Sequence, residues 1–134
     1  MKNILLATLL LIALFSCGRE PDYKPDYFEL NKTYDLSYGK YVFNKDGMIS
    51  VRFDSVITDS RCPTGGICVT SGKAIVRFEI TVYQYCNPEV DLTISEDTVI
   101  SGYKFSFISL NPYPSSNHII NVKDYQARII VQQD

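Results

Sequence analysis

Histidine and tryptophan are almost missing from this chain of 134 residues, which has one histidine and no tryptophan. Nucleophilic catalysis needs a base beside its nucleophile, and a transition-metal centre needs several nitrogen or sulfur ligands close together. His118 lies in a loop rich in proline and serine, without such partners nearby in the sequence. We therefore assign no catalytic residue and no metal ligand, and we expect a non-enzymatic protein that needs no cofactor.

Concentrated charge and long apolar runs are missing as well. The chain has 13 basic and 15 acidic side chains, a net charge of −2, and its lysines and arginines do not cluster. Nucleic-acid binding depends on concentrated positive charge, so we do not expect it here. The longest apolar run, interrupted only by Thr8, covers residues 4–15, which is shorter than the roughly 20 residues of a membrane-spanning helix.

The N-terminus has the pattern of an export signal. Lys2 precedes the apolar run, and Ser16 and Cys17 follow it. The sequence Leu14-Phe15-Ser16-Cys17 resembles the lipobox of bacterial lipoproteins. The resemblance implies cleavage before Cys17 and a lipid anchor in the cell envelope, at the periplasmic or surface side of the outer membrane. A plain secretory signal and an uncleaved anchor helix are the alternatives.

This interpretation divides the chain into three parts. Residues 1–16 are the signal peptide, and residues 17–26 are the lipidated cysteine and an extended, proline-containing tether. Residues 27–134 are long enough for one domain with its own core.

The other cysteines predict one disulfide. Cys62 and Cys68 flank the turn-rich residues 63–67, and an exported domain meets an oxidising compartment. We expect these two to pair and to stabilise the fold by about 2–3 kcal/mol. Cys86 then has no partner, and is either a small buried apolar residue or a free thiol.

Apolar and polar residues alternate along most of the domain, which is typical of strands with one buried face. In the segment 49–57 we expect Ile57 to face the core together with Ile49, Val51 and Phe53. We expect an all-β, antiparallel β-sandwich of seven or eight strands, immunoglobulin-like in kind, with a small β-barrel as the alternative. The phase of the pattern slips between Phe107 and Leu110, which predicts a β-bulge. The predicted strands lie near residues 27–30, 34–36, 41–43, 49–57, 74–82, 90–95, 103–110 and 125–131.

The segment 59–74 carries the densest set of constrained residues. In one interpretation, Arg61 donates a forked pair of hydrogen bonds to Asp59 or Asp54 and so ties the loop to the sheet. In the other, Arg61 faces an acidic partner. We favour the structural role, because a closed loop at the end of a sheet needs internal hydrogen bonds.

This segment resembles a motif in small lipoproteins of Bacteroidota: Asp59-Ser60-Arg61-Cys62-Pro63, then Cys68, an apolar residue and Gly72. The resemblance implies a secreted, lipid-anchored β domain and no particular activity. Two other segments are similar to the loops that chagasin-type inhibitors insert into cysteine proteases. They are Pro63-Thr64-Gly65 and Asn111-Pro112-Tyr113.

We therefore predict a lipid-anchored envelope module that binds a protein or a glycan, with chagasin-like protease inhibition as the alternative. Tyrosines beside predicted loops, Tyr83, Tyr85 and Tyr113, could stack on a sugar. The candidate binding residues are Arg61, Pro63, Thr64, Gly65, Gly66, Asn111, Pro112 and Tyr113.

Overall fold

A computed structural model describes residues 25–83 and 89–134 of the chain. The predicted signal peptide, Cys17, most of the tether, Tyr85 and Cys86 lie outside the described residues. Within those two ranges, no helical segment has the length and hydropathy that a membrane crossing requires.

Nine strands and one short 3-10 turn, Val122–Asp124, lie in the described part of the chain, which is one strand more than the seven or eight expected. Five strands form the first sheet, in the order β1-β3-β4-β5-β6, and four form the second, in the order β2-β9-β8-β7. All paired strands are antiparallel except β1 and β3. The bounds are β1 Asp26–Phe28, β2 Thr33–Ser37, β3 Tyr41–Asn44, β4 Ile49–Asp59, β5 Ala74–Val82, β6 Glu89–Thr93, β7 Asp97–Ile100, β8 Tyr103–Asn111 and β9 Gln126–Gln133.

The two sheets confirm the predicted sandwich, and the barrel alternative is wrong, since the sheets remain separate and do not close on one another. Strands consecutive in the sequence are neighbours from β3 to β6 and from β7 to β9. This order of two meanders differs from the ABED and CFG order of immunoglobulin domains.

The core lies between the sheets and follows the period of two in the sequence. Every second residue of β5 is buried, from Ala74 to Val82. The rings of Phe53 and Phe78 lie 6.0 Å apart, and those of Phe78 and Phe107 lie 5.4 Å apart, so aromatic contacts join the two sheets. Full burial of such a side chain contributes roughly 1.5–3 kcal/mol.

The alternation of buried and exposed residues along a strand is interrupted at β-bulges. The predicted bulge in β8 is confirmed, because its register with β9 shifts between Phe107 and Ser109. We expected Ile57 to face the core, and this was wrong. The register of β4 with β5 shifts between Phe53 and Ser55 and again between Val56 and Thr58, and Ile57 is exposed.

The same ladders bring two loops to one end of the sandwich. Asp59 pairs with Ala74, so the β4–β5 connection leaves the first sheet there. Asn111 pairs with Gln126, so the β8–β9 connection leaves the second sheet. We call residues 60–73 the cysteine loop and residues 112–121 the proline loop.

Candidate binding site at one end of the sandwich

A disulfide closes the cysteine loop as predicted. Cys62 and Cys68 are bonded, with their Cα atoms 5.9 Å apart. The turn between them contains Gly65 at a φ of +82°, a conformation that glycine adopts without a steric penalty. The bond fixes the backbone of the most exposed part of the loop.

A buried ion pair holds the base of this loop. The Arg61 Nε and Nη2 atoms each lie 2.7 Å from one carboxylate oxygen of Asp59, and the two side chains are only 7% and 8% exposed. The forked hydrogen bonds to Asp59 confirm the structural interpretation. Asp54, the other candidate partner, contacts Arg52 instead.

The pKa values around this pair follow from burial and hydrogen bonding. Burial alone raises the pKa of Asp59, but hydrogen bonds from Arg61 and Tyr125 and the positive charge of Arg61 outweigh it. The pKa of Asp59 therefore lies below its ordinary value. Burial and the hydrogen bond to Asp59, at 2.9 Å, raise the pKa of Tyr125 to about 12.

Arg61 also joins the two loops. Its Nη1 donates to the Leu110 carbonyl at 2.6 Å, and its Nη2 donates to the Pro112 carbonyl at 3.2 Å. Its guanidinium carbon lies 4.8 Å from the centroid of the Tyr113 ring, within the range of a cation–π contact. Arg61 therefore orients the site from within and does not project into solvent.

Backbone hydrogen bonds complete the contact between the loops. The Thr64 amide donates to the Pro114 carbonyl at 2.9 Å, and the Ser116 amide donates to the Thr64 carbonyl at 3.2 Å. Thr64 also forms a β-bridge with Ser115, which in turn bridges His118. All eight candidate binding residues therefore lie on these two adjoining loops or at the end of β8. Sequence reasoning named both segments without showing that they touch.

A cleft of about 320 Å³ opens beside the ion pair. Its size is at the lower end of the range for small-ligand sites. Tyr113 is half exposed at this cleft and offers an aromatic ring. The lining also includes Arg61, Ser71, Gly72, Lys73, Ala74, Thr93 and Ile94. Lys73 and Thr93 were not among the predicted site residues, because only the pairing of β5 with β6 brings them together.

Tyr83 does not belong to this surface. It follows the end of β5 that lies away from the cysteine loop, and its hydroxyl is 3.1 Å from that of Tyr103. Among the described tyrosines predicted to contact a ligand, only Tyr113 lies at the two loops. Within residues 25–83 and 89–134, no three histidine, cysteine, aspartate or glutamate side chains lie close enough to hold a metal.

Comparison with known protein families, curated proteins and solved structures gives no match to this chain. The resemblances drawn from the cysteine motif and the inhibitor-like loops therefore stay predictions.

Proposed function

We propose that the protein is a lipid-anchored binding module of the bacterial cell envelope that has no catalytic activity and holds a protein or glycan ligand at its two adjoining loops. The observation that carries this proposal is the rigid presentation of Tyr113 beside the cleft. A disulfide, a buried ion pair and backbone bonds between the loops fix the surface before any ligand arrives.

Preorganisation is the physical reason to favour binding. Ordering a loop and its side chains opposes association, and a surface that is already fixed avoids most of that cost. The exposed ring of Tyr113 can stack on a sugar or pack against a protein. The Ser71 and Thr93 hydroxyls and the Lys73 ammonium belong to residues that line the same cleft and can donate hydrogen bonds.

Retention of the full chain by envelope components tests this proposal. We expect Tyr113→Ala to weaken retention about tenfold, the usual effect of removing an aromatic anchor. Tyr83→Ala is the matched control, because Tyr83 and Tyr113 are 47% and 51% exposed and Tyr83 follows the end of β5 that lies away from the loops. Equal retention of the two variants would refute the choice of surface. Separate polysaccharide and protein fractions identify the class of ligand.

The anchor is tested by the mass of the mature protein. The proposal predicts loss of residues 1–16 and a diacylglyceryl mass on Cys17, and release of the protein from membranes by Cys17→Ser. An intact Met1 in native material would contradict it.

Protease inhibition is the second candidate, and one observation favours it. The two segments that resemble inhibitor loops lie side by side, with the Thr64 amide 2.9 Å from the Pro114 carbonyl. Titration of a papain-like protease with the full chain should then abolish activity at a one-to-one ratio. Unchanged proteolysis at a large excess of the chain would exclude this candidate.

A further inference from the structure

Three aliphatic side chains project fully into solvent from the two loops. Ile67, Val69 and Ile119 are 105%, 104% and 93% exposed. We call them the apolar tips. Single exposed apolar residues are common on protein surfaces, but these three lie on adjoining loops at one end of the domain. None of them lines the cleft proposed to hold the ligand.

The loops keep the apolar tips exposed. Ile67 and Val69 flank Cys68, whose disulfide fixes the backbone between them. Ile120 packs against the core, so the preceding Ile119 faces outward. The bridges from Thr64 to Ser115 and from Ser115 to His118 link the two groups of tips. Collapse of these side chains onto the sandwich would require breaking these contacts.

The two loops that carry the apolar tips have a positive net charge, although the whole chain carries −2. Residues 60–73 and 112–123 contain no aspartate or glutamate. Lys73 and Lys123 are exposed there. Asp59, which precedes the cysteine loop, is buried against Arg61, and Asp124 is the first carboxylate after the second segment. Glu96, in the turn after β6, and Asp124 are exposed at the same end of the domain. The positive charge therefore belongs to the two loops, and it is the loops that complement an anionic surface.

We propose that the apolar tips insert into the interface of a bilayer containing anionic phospholipids and dock the domain on it through the two loops. Protein-binding hot spots are rich in tryptophan, tyrosine and arginine, and valine is under-represented in them. The tips are aliphatic and project outward, so they fit an acyl-chain boundary, which needs no shaped pocket. Exposed lysines beside them attract anionic headgroups, and each fully buried tip favours the bound state roughly tenfold or more.

A tryptophan reporter tests the docking, since the chain contains no tryptophan of its own. The full chain carrying Ile119→Trp is reconstituted into phosphatidylethanolamine–phosphatidylglycerol vesicles with brominated acyl chains. We expect emission to shift to shorter wavelength and bromine quenching to be several-fold stronger than for Val99→Trp. Val99 is exposed on β7 at the edge of the second sheet and is the control position. Equal quenching at the two positions would overturn the proposal.

Two further measurements distinguish docking of the domain from insertion of the introduced tryptophan side chain alone. Ile67→Asp with Val69→Asp, added to Ile119→Trp, should lower quenching to the level of the Val99→Trp control. Replacing phosphatidylglycerol by phosphatidylcholine should lower it several-fold. If quenching survives either change, docking through the apolar tips onto anionic lipid is excluded. The quenching measurement uses lipid alone and the retention measurement uses polysaccharide and protein fractions, so this proposal and the ligand-binding proposal can fail independently.

Discussion

At the scale of single residues, Arg61 determines the geometry of the whole site. One guanidinium contacts the Asp59 carboxylate, the carbonyls of Leu110 and Pro112, and the Tyr113 ring. Arginine suits this position because its planar fork offers five N–H donors and always carries its charge. A lysine at position 61 would keep the charge but lose the paired hydrogen bonds to Asp59.

We predict that Arg61→Met lowers the free energy of unfolding by about 3 kcal/mol, because it leaves the buried Asp59 carboxylate without its partner. Arg128→Met is the matched control. Arg128 makes the same forked contact to Asp35, at 2.7 and 2.9 Å, but both side chains are 44% exposed. The control should lose much less, because solvent screens an exposed ion pair. Urea unfolding measures both values, and equal losses would show that burial of the Arg61 pair adds nothing.

The acid limb of the stability curve should also depend on Asp59. Its pKa in the folded state is lowered, mainly by Arg61 and Tyr125 against the opposing effect of burial. The folded state therefore binds fewer protons than the unfolded state near the ordinary pKa of aspartate. This contribution is fully present above that ordinary pKa and is lost as the pH falls through the lower folded value.

Asp59→Asn should accordingly flatten the fall in unfolding free energy below about pH 4. The measurement is a series of urea midpoints across the acid range, with Asp35→Asn as control. The pKa of Asp35 is lowered by the hydrogen bond from Arg128, but that pair is exposed and screened, so its variant should change the curve less. An unchanged acid limb in Asp59→Asn would contradict the assignment of the lowered pKa to Asp59.

At the scale of elements, Gly72 allows the cysteine loop to return to β5. Its φ is +67°, and a Cβ atom at this position would lie 1.7 Å from the Ser60 carbonyl oxygen. Gly47 has nearly the same φ, +68°, but a Cβ atom there would meet nothing within 4 Å. The two glycines therefore separate the effect of backbone conformation from that of close approach.

We predict that Gly47→Ala costs about 1 kcal/mol, the penalty of the left-handed conformation alone. Gly72→Ala should cost about 3 kcal/mol or more, because the loop must also move away from Ser60. Urea unfolding of the two variants gives the comparison. Similar losses would mean that the loop relaxes freely around Ser60.

The alternation of residues predicted those strands whose pairing is regular. Residues 74–82 were predicted as a strand and form β5 with those bounds. Ile57 was misassigned because a bulge depends on the partner strand, which a single sequence does not display. β7 was missed because it is a four-residue edge strand with no buried residue to mark its inner face.

The site was predictable in part for similar reasons. Cysteine, proline and glycine restrict the backbone locally, so the cysteine loop and its disulfide could be predicted from spacing. The long-range contacts of Arg61 with Leu110 and Pro112 depend on the register of β8, which the pattern left open. The exposure of Ile67 and Val69 was predictable from the sequence, because both residues lie in a turn-rich loop, where no strand face can bury them.

At the scale of the whole molecule, the sandwich and the two loops are held together by different interactions. The sheets are joined by an apolar core that includes Phe53, Phe78 and Phe107. The loops are held by a disulfide, an ion pair and hydrogen bonds at one end of that core. Loss of order in the loops should therefore weaken ligand binding while the two sheets stay folded.

Replacing both Cys62 and Cys68 by serine tests this separation. We predict a loss of about 2–3 kcal/mol in unfolding free energy and an unchanged far-ultraviolet circular dichroism spectrum. Retention by the proposed ligand should weaken about tenfold, because the loop must then be ordered on binding. Val76→Ala is matched in stability: removing two methyl groups from a fully buried side chain costs about 2 kcal/mol. It leaves the loops intact, so retention should be normal. Only the serine variant frees the backbone around residue 68, so only that variant should lose retention. Equal losses of retention in the two variants would mean that global stability, and not loop order, controls binding.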